Sequence, residues 1–163
     1  MSKPLQKPAS WLLWSSLLLA LTLLAAINLL PMPATSEILN LQLASTPDAF
    51  RSIHSQWTVD QQQAFADHFP LDFLFIAAYA LSGYLWAGSR LFASLPAALV
   101  TLARWALPLA GVLDVGENVL EMYLLKQLAD LPTTLVMLAA TCAALKWALT
   151  GVFALLFLRI VLA

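Results

Sequence analysis

Residues 11–30 (WLLWSSLLLALTLLAAINLL) run without a single charged side chain. A helix of about 20 residues rising 1.5 Å each covers the roughly 30 Å of a bilayer's hydrocarbon core. Three more apolar stretches follow, at about 70–89, 95–125 and 131–161, and each is long enough for the same crossing. The chain is therefore predicted to be an all-α polytopic integral membrane protein. It should form one membrane domain over residues 1–163, a four-transmembrane-helix bundle with an extracytoplasmic loop of short helices (31–69) between spans one and two. The first stretch also admits reading as a secretory leader, with Lys3 and Lys7 before it and Ala34-Thr35-Ser36 after it. Its apolar part exceeds the roughly 7–15 residues of such leaders, so a retained span is predicted.

Composition agrees and excludes several classes. The chain is 61% hydrophobic and 10% charged, too apolar for a disordered chain and too poor in charge for an ordinary soluble domain. A net charge of −1 and no basic run leave nothing to neutralise nucleic-acid phosphates. The one cysteine, Cys142, permits neither an internal disulfide nor a CxxC redox pair, which excludes the small four-helix quinone-linked disulfide enzymes. His54 and His68 stand in no metal-ligand spacing and read as solvated loop residues, so no metal is expected. No motif names a cofactor.

Basic residues near span ends set orientation. Lys3, Lys7, Arg90 and Arg159 fall on one side, Arg51 and Lys126 on the other. Both termini are thus expected on the cytoplasmic side of a bacterial inner membrane. The 31–69 loop, with Glu37, Asp48, Asp60 and Asp67 against Arg51, is acidic and suits translocation. Thr46-Pro47 should cap one short helix there, and Thr58-Val59-Asp60-Gln61 fits a capping box opening another that ends by Pro70. Bearing Phe50, Trp57, Phe65 and Phe69, these two helices are expected to lie at the outer interface and cover the bundle mouth. Ser94, followed by Pro96, is the expected cap of the third span.

An ionisable group inside a span is costly unless it faces protein or water. At about 100° per residue, Asp114, Glu117, Asn118 and Glu121 share an arc of roughly 100° on the third span, while Val115, Val119, Met122 and Tyr123 face elsewhere. Pro108 and Gly111 just before the stripe should weaken the helix into a kink. On the fourth span Cys142, Lys146 and Thr150 share a face. Asp72 and Tyr79 share one on the second span, where Asp72, in the first turn, would also complement the helix dipole. Helical rise puts Asp114 and Lys146 at similar depth, which permits an ion pair.

These residues predict an outward-opening polar pocket. Its carboxylates, partly desolvated, cannot all stay ionised and are expected to share protons. The pocket is expected to bind a lipid-like or small-molecule ligand. Acid–base catalysis would fall to Asp114 and Glu117, with Asp72, Tyr79, Asn118, Glu121 and Lys146 binding the ligand. No GxSxG, HExxH or phosphate loop selects a reaction. Proton-coupled transport of a cationic solute is the alternative, although only the third span looks interrupted. A non-catalytic membrane subunit is another, with Gly83, Gly88, Gly111 and Gly116 allowing close helix approach to a second copy or a membrane partner protein. Membrane lipids are the other expected partners.

Overall fold

The charge-free run forms one continuous helix, α1 (Ser10–Asn28), whose side chains leave the backbone to satisfy itself. A computed structural model describes residues 9–162; Lys3 and Lys7, used above for orientation, lie outside the described residues. After α1 come α2 (Thr35–Gln42), α3 (Pro47–Ser55), α4 (Val59–Asp67), α5 (Phe69–Ala87), α6 (Ala97–Leu125) and α7 (Thr133–Val161). A 3-10 turn at Arg90–Ser94 joins α5 to α6, and no strand occurs among the described residues. The helices α1, α5, α6 and α7 are long and apolar enough to cross a membrane.

The four long helices pack in chain order, α1 on α5, α5 on α6 and α6 on α7. Small residues set the close approaches. A Cβ on Gly83 would lie 2.5 Å from Leu107 Cδ1 and 2.7 Å from Leu107 Cβ, so α5 and α6 touch there through bare backbone. Gly111 sits against Ala80 and Ile76 in the same seam. Buried Ala139, Ala140 and Ala143 give α7 a similarly thin inner face.

The segment between α1 and α5 holds three short helices where two were expected. Thr46 Oγ1 accepts from the Ala49 amide at 3.2 Å and starts α3. Thr58 and Gln61 exchange bonds in a capping box that starts α4. Both starts agree with the sequence. The third helix, α2, has no side-chain cap of its own and carries only half of a box, the Glu37 carboxylate accepting from the Ala34 amide at 3.2 Å. That missing signal is why the sequence hides it.

Two other expectations, for the histidines and for Ser94, need correction. The aromatic residues of these helices turn inward. Phe50, Trp57, Phe65 and Phe69 are buried in one cluster with Leu124, Leu131 and Val136, and Arg51 Nε donates to the Leu128 carbonyl at 3.0 Å. The cap is thus bolted to the ends of α6 and α7 by packing. His54 and His68, expected in solvent, are buried in this cap, with the His68 ring 4.9 Å from Phe65 and 4.4 Å from Phe69. Finally, Ser94 does not cap the third long helix. It ends the 3-10 turn, and α6 begins after Pro96 with no side-chain cap. The helix runs unbroken through Pro108 and Gly111, so the proline weakens it without interrupting it.

Candidate functional site

The 3.6-residue period carries the polar stripe of α6 to the inside of the helix row, where Glu117 is 0% and Glu121 1% exposed while Val119 and Tyr123 face outward. Near the middle of α7, Lys146 reaches the same level. Its Nζ donates to Asp114 Oδ1 at 2.6 Å and stands 2.8 Å from Glu117 Oε2. The second contact brings charges together without hydrogen-bond geometry, and both Glu117 carboxylate oxygens are left without a hydrogen-bond partner. Asp114 is engaged on both sides, since Tyr79 Oη donates to its other oxygen at 2.9 Å. One helical turn towards the cap, Asn118 Nδ2 donates to Asp72 Oδ2 at 2.6 Å and links α6 to the first turn of α5. Glu121 lies beyond, with Oε1 buried and unpartnered.

Two carboxylates therefore hold the one ammonium, and Asp72 and Glu121 add two more acids to the cluster. In a low-dielectric interior such a set either holds shared protons or keeps an excess of negative charge. The hydrogen-bonded set Tyr79–Asp114–Lys146 joins two donors to one acceptor across three helices, with Glu117 in charge contact with Lys146 at 2.8 Å.

A cavity of about 410 Å³ opens on this cluster. Asp72, Tyr79, Asp114 and Lys146 line it, whereas Glu117, Asn118 and Glu121 stand behind that wall. Thus the seven candidate catalytic and ligand-binding residues gather in one place, but only four face the space. Its remaining polar lining includes Asn28, Gln42, His68 and Thr150, which come from α1, α2, the α4–α5 junction and α7. Only Thr150 was flagged by spacing, as a neighbour of Lys146 on one helix face. Gln42 belongs to the unforeseen α2, and its Oε1 accepts from Trp147 Nε1 at 3.2 Å, closing α2 over the cavity against α7.

A second, apolar cavity of about 490 Å³ lies end to end with the first. The two share Leu24, Phe75, Tyr79 and Leu107. From there the apolar space runs between α1 and α7, past Leu17 and Phe153 to Trp14, Trp86 and Phe157. Helical periodicity gives no hint of it, because it arises where α1 leans on α5 and stands off from α7.

Outside the long helices, burial pushes the His54 imidazole below its ordinary value of 6.5. Among the described residues no three His, Cys, Asp or Glu side chains converge as metal ligands. Comparison of the chain with protein-family models, with curated proteins and with solved structures finds no match to any of them.

Proposed function

We propose that the chain is an integral membrane protein whose acidic chamber binds a ligand carrying a cationic or hydrogen-bond-donating group. In this reading α1, α5, α6 and α7 span a bacterial cytoplasmic membrane. The α2–α4 cap lies outside, and the ends marked by Arg90 and Arg159 lie in the cytoplasm. Large apolar side chains such as Leu18 (66% exposed) and Leu155 (69%) crowd the outward surface, which suits lipid and not water. The observation that carries the function is the placement of Asp114. It sits near the middle of a 29-residue apolar helix, paired with Lys146 and Tyr79, and still lines an open cavity. Ionisable groups at such a depth mark functional sites by default, because oil tolerates them only where protein or ligand answers their charge.

Charge selects the ligand class. Lys146 is already held by two carboxylates, so Asp72 and Asp114 meet an incoming head group with acceptors and net negative charge. An amine is attracted to that wall, and an anion is repelled. Acid–base work on a bound ligand would belong to Asp114, which faces the space, with Glu117 acting through Lys146 from behind.

The test uses n-butylamine as a head-group probe on protein in phosphatidylcholine nanodiscs. Saturation-transfer NMR is expected to show contact with the probe that the Asp72→Asn/Asp114→Asn variant abolishes, circular dichroism being unchanged. Equal transfer in both proteins would contradict the reading.

A further inference from the structure

The polar chamber and the apolar cavity are neighbours that share a boundary, and their order along the helices is informative. On α1 the lining residues run from Trp14 through Leu24 in the apolar cavity and from Leu24 to Asn28 in the polar one, with Met32 just past the helix end. On α5 they run from Trp86 to Phe75, then on to Asp72, with His68 just before the helix start. On α7 the order is Phe157 and Phe153, then Thr150 and Lys146. Three helices thus give the same axis, with the charged chamber under the cap and an uncharged slot extending to the far end.

The slot's length follows from helical rise. Trp14 to Leu24 at 1.5 Å per residue is about 15 Å, half of the roughly 30 Å hydrocarbon core and so the depth of one leaflet. Its volume falls within the roughly 300–1,000 Å³ of small-molecule sites. Its walls are almost wholly apolar, Ser82 apart, and Ser82 is buried. Tyr79 stands at the junction, its ring in the slot's wall and its hydroxyl donating to Asp114. Of the carboxylates, Asp114 faces the space at that junction, and Asp72 lines the chamber on the capward side.

We propose that the two cavities form one site for a long-chain amine, whose ammonium sits against Asp72 and Asp114 and whose hydrocarbon chain fills the slot between α1 and α7. This rests on the amine-binding chamber proposed above and adds the tail, its length and its lateral route of access from the membrane between α1 and α7. Because the chain comes from lipid as apolar as the slot itself, packing against the walls, and not transfer out of water, sets which chain lengths fit. The carboxylates supply the choice of head group.

The test is photo-cross-linking in phosphatidylcholine nanodiscs with two probes of equal chain length bearing a diazirine in the tail, one a primary amine and the other a fatty acid. The amine is expected to label slot residues such as Leu17, Leu21 and Phe153, and the fatty acid about tenfold less. Leu21→Trp, placed on a half-exposed wall residue, is expected to cut amine labelling about tenfold, equivalent to about 1.4 kcal/mol, while n-butylamine contact persists. Persistent butylamine contact without slot labelling in the unsubstituted protein would overturn the tail assignment and leave the chamber reading standing. Equal slot labelling by the two probes would overturn the choice of an amine. Loss of butylamine contact in Leu21→Trp would overturn the separation into head chamber and tail slot.

Discussion

His54 shows how a single side chain ties the cap to pH. Its imidazole is buried beside Trp57, ring centroids 5.4 Å apart, and burial holds its pKa below the ordinary 6.5. The unfolded cap therefore binds more protons than the folded one as pH falls through 6.5. The stability contributed by neutral His54 is present above that value and is lost progressively below it. Amide protection in α3 and α4, corrected for the intrinsic pH dependence of exchange, is expected to fall between pH 7 and pH 5, and His54→Gln should flatten that fall; an unchanged profile in the variant would contradict the assignment. Residue identity alone concealed this burial, since a histidine in a connecting segment with no ligand spacing reads as solvated. The same scale was kinder to Asp114 and Lys146. An ion in an apolar helix has few tolerable surroundings, so its presence announced a partner, and matching depths named it.

At the scale of elements, the seam between α5 and α6 depends on Gly83. A methyl group there would meet Leu107 at 2.5–2.9 Å, and that contact includes the stiff Cβ. Gly83→Ala is expected to destabilise the protein by about 1–3 kcal/mol through overpacking. Adding Leu107→Ala should restore part of the loss. Gly151→Ala, with nothing within 4 Å of its new Cβ, should be neutral or gain up to about 1 kcal/mol from helix propensity. Thermal unfolding in detergent reads all three, and equal effects at Gly83 and Gly151 would contradict the packing described. The long helices were legible because length and lack of charge mark them, as were the starts of α3 and α4, because Thr46 and Thr58 carry their caps. What escaped was α2, which starts without a side-chain cap, and the 3-10 turn, which gives Ser94 a role different from the one Pro96 suggested.

The whole molecule is a row of four apolar helices closed at one end by a small aromatic domain. The proposed orientation predicts that cysteines placed at Glu37 or Asp60, in a Cys142→Ala background, react with a membrane-impermeant maleimide on intact spheroplasts. A cysteine at Arg90 should react only after lysis. The reverse pattern would invert the protein. Neither cavity was visible in the sequence, because both are products of how α1 leans away from α7 and how α2 folds across the gap. The acidic stripe was visible because periodicity alone puts it on one face, but which of its members line the chamber is decided by α5 and α7.

The chamber exists only if the α6 carboxylates point inward and are answered by Lys146. A double-mutant cycle on Asp114→Asn and Lys146→Met, read by reversible unfolding in mixed micelles, measures this directly. The predicted result is a coupling energy of about 0.5–3 kcal/mol, with the double variant more stable than the sum of the two single losses allows. Losses that add to within about 0.5 kcal/mol would mean that the two groups do not meet, and the chamber would lose its foundation.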